Sequence, residues 1–201
     1  MIDASLSPLL RRWLALPARA LVRAGIVADQ VTLFGFCIGV LALPALAFGQ
    51  FWLALLAIVV NRILDGLDGA VAQLTHPTDR GAFMDIALDF VFYALVPLGF
   101  ALADPVANAL PAAVLIAAFV GTGSSFLAFS VIAGQRGMRP EAYPSKGIYY
   151  LGGLTEGAET IGFFVAMCLF PQAFAPLAYL FSAACAVTIV TRWRYGWRAF
   201  E

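Results

Sequence analysis

The sequence predicts an all-α fold: an integral membrane bundle of six transmembrane helices with an N-terminal interfacial amphipathic helix. Three observations predict it. Of 201 residues, 62% are hydrophobic and 12% charged, against about 45–50% and about 25% in a soluble domain. The apolar residues fall into six runs, 31–49, 51–74, 81–103, 107–133, 148–170 and 173–190, each close to the roughly 20 residues that a membrane helix needs. Finally, the Lys and Arg residues outside the runs all fall on one side of that six-span layout. Cytosolic loops carry such an excess, so both termini face the cytosol, in the simplest case across a plasma (inner) membrane. Formal net charge is zero, so total charge selects no partner, and nucleic acid is not expected as one.

The elements follow in chain order within a single domain, 1–201. Residues 1–30 form a juxtamembrane segment. Leu6, Leu10, Trp13 and Leu14 share one helical face, with Arg11 and Arg12 off it, the pattern of an amphipathic helix lying on anionic lipid. Arg11, Arg12 and Pro17 interrupt its short apolar stretch, so it does not read as a signal peptide. Residues 31–190 hold the six spans. The breaks between them carry loop chemistry: Gly49-Gln50, a segment ending in Arg80, Asp104-Pro105, a long basic loop with Arg136, Arg139 and Lys146, and Pro171-Gln172. Residues 191–201 form a cytosolic tail with Arg192, Arg194 and Arg198. Cys37, Cys168 and Cys185 lie in spans without CxxC spacing and read as small packing residues.

Four carboxylates stand out because an Asp at the centre of a membrane helix costs about 2.5–3.5 kcal/mol. Asp65 and Asp68 lie in the second span, Asp85 and Asp89 in the third. Spacings of three and four put each pair on one side of its helix. The two spans are antiparallel neighbours, so the pairs can face each other across a cavity open to the cytosol. Four carboxylates that close repel one another unless cations lie between them. Oxygen ligands select Mg2+ or Mn2+, and two pairs suit two ions about 3.5–4 Å apart, a clamp for phosphoryl transfer. Gly66, Gly69, Ala70, Ala72, Gly81 and Ala82 leave room beside them, or let helices pack closely.

Asp65-Gly-Leu-Asp68-Gly69-Ala-Val-Ala72, followed by Gly81-x3-Asp85-x3-Asp89, resembles the signature of the CDP-alcohol phosphatidyltransferases. The six-span layout and the basic juxtamembrane helix are also similar to that family. Two departures are present. The family's Arg after the alanine is Gln73 here, and seven residues instead of eight separate it from Gly81. Glutamine donates a hydrogen bond but carries no charge; Arg62 or Arg80 is placed to supply the missing cation.

The resemblance implies an enzyme of phospholipid biosynthesis. A CDP-alcohol, typically CDP-diacylglycerol, donates its substituted phosphate to a small alcohol or phosphorylated alcohol, and CMP leaves. It implies Asp65, Asp68, Asp85 and Asp89 as ligands to two Mg2+ or Mn2+ ions, with Asp89 also the general base. It implies nucleotide contacts at Gly69, Ala72, Gln73 and Gly81, membrane lipid around the chain, and a homodimer. Acceptor or phosphate contacts are expected among Arg62, Arg80, Lys146, Glu156 and Glu159. For the two glutamates, pairing with Arg62 is the structural alternative; for Lys146, snorkelling to the interface. Two other functions stay open: a divalent-cation transporter using the carboxylates as an ion path, and a member of the family that has lost catalysis.

Overall fold

A computed structural model describes residues 2–138 and 153–201, with side chains from Trp13 onward. Among these residues there are eight α-helices, one 3₁₀ turn and no strand. The helices are α1 (Ile2–Arg23), α2 (Ala28–Val40), α3 (Ala42–Ala47), α4 (Phe51–Leu74), α5 (Asp79–Ala103), α6 (Pro105–Gln135), α7 (Gly157–Leu169) and α8 (Phe174–Ala199). Four helical stretches are long and apolar enough to cross a membrane: Ala28–Ala47, Asp79–Ala103, Pro105–Gln135 and Pro171–Ala199. Helix α4 has the length but carries Arg62, Asp65 and Asp68.

Local chemistry explains the boundaries. Helix α1 ends at Gly25, whose φ of +76° suits a residue without Cβ. The Ile26 amide donates to the Leu21 carbonyl and the Gly25 amide to that of Val22, each at 3.0 Å, a Schellman stop. The first span is broken at Leu41 because Pro44, in the first turn of α3, has no amide to donate back to the preceding turn. Helix α5 starts at Thr78, whose hydroxyl accepts from the Gly81 amide at 3.0 Å. Helix α6 starts at Asp104, which accepts from Ala107 at 3.1 Å, with Pro105 at its first position.

One expectation changes here. The run 148–170 was expected to be one span, yet residues 153–156 are not helical and the helix begins at Gly157. Glu156 and Glu159 start it in a capping box, satisfying backbone amides that a continuous helix would have bonded internally. At 13 residues, α7 rises about 20 Å, less than the ~30 Å hydrocarbon core. Residues 191–199 of the expected tail continue α8 to Ala199.

Packing divides into two regions. The larger core joins α3 to α8 through rings: Phe100 stacks on Phe174 at 4.4 Å, Phe163 on Phe181 at 4.4 Å, and Phe164 meets Phe92 edge-on at 6.4 Å. A small second cluster, Ala18, Val31, Leu67 and Val71, ties α1 to α2 and α4. Leu14 turns inward there while Trp13 stays 77% exposed, so the expected shared face divides at this point. Leu6 and Leu10 lie outside the described side chains.

Helix α2 approaches α4 closely through Gly35 and Gly39. A Cβ on Gly35 would sit 3.0 Å from that of Leu64, and one on Gly39 would sit 2.9 Å from the Asn61 amide. This small-x3-small spacing is a recurrent device for membrane helix contacts, and it brings Thr32 beside the aspartates.

Candidate active site

Helices α2, α4 and α5 enclose the site. Asp65 and Asp68 project from α4 one turn apart, and Asp85 meets them from α5. One carboxylate oxygen from each of the three lies within 4.8 Å of the others. Asp68 is buried and Asp85 exposed, so the group opens on one side. Thr32 of α2 donates its hydroxyl to Asp68 Oδ2 at 2.5 Å, fixing the orientation of that carboxylate.

Asp89, one turn beyond Asp85, turns to Arg62 instead. Arg62 Nη2 donates to Asp89 Oδ1 at 2.7 Å, and Nη1 lies 3.5 Å from Asp65 Oδ2. The remaining nitrogen, Nε, donates to Asn61 Oδ1 at 2.8 Å, and Asn61 Nδ2 donates to the Gly35 carbonyl at 2.9 Å. The guanidinium lies over the rings of Phe92 and Tyr93, at 4.8 and 5.6 Å from their centroids. An arginine at this depth needs such partners, because its charge is costly in an apolar surrounding.

The other residues named from the sequence distribute around this centre. Gly69 has open space where a Cβ would stand. Gly66 instead receives Leu14 of α1, whose Cδ1 would lie 3.0 Å from an added Cβ. On α4, Gly66 thus serves close helix packing, while the side at Gly69 stays open. Ala72 is half-buried and Gln73 exposed, in the last turn of α4.

Arg80 is 76% exposed and binds Asp29 of α2 through Nε at 2.8 Å, with Nη2 on the same carboxylate oxygen. Gly81 lets that carboxylate approach, since a Cβ there would be 3.0 Å from Asp29 Oδ1. Of the two arginines considered as the missing cation, Arg62 lies among the aspartates and Arg80 on the rim. Glu156 and Glu159 are held at the start of α7: the Gly153 amide donates to Glu156 Oε1 and the Glu156 amide to Glu159 Oε2, each at 3.2 Å. Neither lines the cavity around the aspartates, and Arg62 pairs with Asp65 and Asp89 rather than with them. Lys146 lies outside the described residues.

Sequence reasoning missed Asp29 and Thr32 as members or neighbours of the site. The Gly35-x3-Gly39 spacing was the available signal, since it brings the face of α2 that also carries Thr32 against α4. It also read Arg192 only as a topology charge. The structure buries Arg192, with Nη1 donating to the Thr122 carbonyl of α6 at 3.0 Å.

The donor set fits a hard divalent cation. All three converging groups offer carboxylate oxygens, which Mg2+ and Mn2+ prefer. Metal–oxygen bonds of about 2.0–2.1 Å put opposed ligands about 4.2 Å apart, so a spread of 4.8 Å closes onto an ion with small side-chain movements. The exposed side at Asp85 leaves coordination positions for water or a phosphate.

A profile of the CDP-alcohol phosphatidyltransferase family matches residues 25–193. The inner membrane protein YnjF of Escherichia coli is 53% identical over 192 residues, 96% of this chain and 93% of its own. Archaetidylinositol phosphate synthase of Pyrococcus horikoshii is 31% identical over 100 residues, 49% of this chain and 53% of its own. Two crystal structures of phosphatidylinositol phosphate synthase from Mycobacterium tuberculosis share the fold. The one with CDP-DAG bound has a TM-score of 0.69 at 24% identity, covering 92% of this chain and 94% of that one. The one in complex with manganese and citrate has a TM-score of 0.71 at 22% identity, covering 92% and 88%. With its acidic motif on two facing helices and a family profile spanning most of its length, the chain belongs to the CDP-alcohol phosphatidyltransferase family.

Proposed function

We propose that this protein transfers the substituted phosphate of CDP-diacylglycerol, or a closely related CDP-alcohol, to an acceptor hydroxyl with release of CMP. The observation that carries the proposal is the convergence of Asp65, Asp68 and Asp85 within 4.8 Å, with Asp89 alongside them in the same cavity. The acceptor oxygen attacks the β-phosphorus, the bond from that phosphorus to the CMP oxygen breaks, and the acceptor proton passes to Asp89. Asp65, Asp68 and Asp85 would hold Mg2+ or Mn2+, which when bound neutralises diphosphate charge and stabilises the leaving CMP. Thr32 orients Asp68, and Arg62 orients Asp89. The open space at Gly69 and the Asp29–Arg80–Gly81 rim would receive the nucleotide. CDP-DAG in one structural neighbour and manganese in the other support the donor and the metal. The names of the two synthases put phosphorylated polyols first among acceptors to test.

In the membrane, six crossings would be made by the four apolar stretches, α4 and the segment 148–170 that contains the short helix α7. The clustering of Lys and Arg supports a cytosolic site and cytosolic termini.

The test is CMP release by purified protein in lipid, with CDP-diacylglycerol, Mn2+ or Mg2+, and a panel of alcohols. One alcohol should give CMP, and Asp89→Asn should lower turnover about 10²–10⁴-fold while leaving the folded protein intact. Turnover above roughly a tenth of wild type would remove Asp89 as the base, because general-base catalysis contributes far more than tenfold. No CMP with any alcohol would overturn the proposed reaction.

A further inference from the structure

We infer that Arg62 is a built-in counter-cation that takes the place of a second metal ion, so that the protein without nucleotide binds one divalent cation per chain. The inference rests on the proposed reading of Asp65, Asp68 and Asp85 as a metal site, and it concerns how many ions that site accepts.

Two carboxylate pairs facing each other suggest two ions. The structure divides the four carboxylates three to one. Asp65, Asp68 and Asp85 converge, while Asp89 Oδ1 bonds Arg62 Nη2 at 2.7 Å and Asp65 Oδ2 faces Nη1 at 3.5 Å. A second ion would need Asp89 together with Asp65 or Asp85, at metal–oxygen distances of about 2.1 Å. The guanidinium already stands between Asp89 and Asp65, and a divalent ion placed there would meet a like charge in a low-dielectric surrounding.

Arg62 is also held from its other sides. Nε is bonded to Asn61, which is locked to the Gly35 carbonyl of α2, and the Phe92 and Tyr93 rings take the guanidinium face. Its side chain is only 15% exposed, so it is not a surface arginine that has strayed inward. Charge points the same way. Four carboxylates match two divalent ions; with Arg62 present, a second ion would leave the cluster with excess positive charge before any phosphate arrives.

The test is a Mn2+ titration of purified protein in phosphatidylcholine nanodiscs without nucleotide. Stoichiometry comes from calorimetry, and spin coupling from electron paramagnetic resonance. Wild type should bind one Mn2+ per chain with the spectrum of an isolated ion. Arg62→Gln should bind two, with the spectrum of an exchange-coupled pair, and Arg62→Lys, which keeps the charge, should still bind one. Two coupled ions in wild type would overturn the inference, as would a single ion in folded Arg62→Gln. If Arg62→Gln does not fold, the wild-type count decides alone. Failure of the underlying metal reading looks different: wild type and Asp68→Asn would then both bind no Mn2+.

Discussion

Helices α4 and α5 each have two halves built on different principles. Near the turn that joins them, they carry Asp65, Asp68, Asp85 and Asp89, small residues and open space at Gly69. Farther from it, Ala54, Ala57 and Ile58 of α4 and Phe92, Val96 and Phe100 of α5 are buried in a ring-rich core. Arg62 sits at the junction, with its nitrogens on the carboxylates and its face on Phe92. In the aromatic half, stability comes from close contact among interchangeable apolar atoms. In the acidic half, each charge is set by a particular partner, as Thr32 sets Asp68 and Asn61 sets Arg62. Substitutions in the two halves should therefore fail differently.

The largest effect is expected in the acidic half. Asp68→Asn removes a buried carboxylate charge while keeping the shape, and should abolish Mn2+ binding and CMP release with little change in thermal unfolding. A variant that keeps wild-type Mn2+ affinity would place the metal elsewhere. In the aromatic half, Phe164→Ala should do the reverse. Phe164 is fully buried against Phe92, Tyr93 and Phe119, and truncating such a ring costs about 3–5 kcal/mol. Unfolding in mild detergent should read that loss, while the folded fraction keeps its Mn2+ affinity; a parallel loss of affinity would mean the halves are coupled through Arg62.

The smallest effect belongs to the rim. Arg80→Ala breaks an ion pair whose arginine is three-quarters exposed, and exposed pairs contribute about 0.2–1 kcal/mol. Stability should barely change. A rise in the KM for the CDP-alcohol at constant kcat would assign Arg80 to donor binding.

Much of this was legible in the chain. The acidic pairs were visible because carboxylates are rare in apolar runs, and their spacings put each pair on one side of its helix. The helix boundaries at Phe51–Leu74 and Asp104-Pro105 followed from loop residues and hydropathy. The start of α7 was not read, because the run 148–170 is apolar as a whole and the local break at Gly153, Thr155 and Glu156 was taken as part of it. There Glu156 and Glu159, expected either at the acceptor site or in a structural role, cap the start of the helix.

The sequence by itself determined the membrane class, the all-helical architecture, the family and the four aspartates, since these depend on composition and on spacing within one helix. Only the tertiary structure decided how the carboxylates divide. Asp89 is set apart from the other three because α2 comes close enough, through Gly35 and Gly39, for Thr32 to hold Asp68 and for Asn61 to aim Arg62. Which carboxylate faces a cation and which faces a guanidinium depends on distances of a few ångströms between separate helices, and no periodicity along one chain records them.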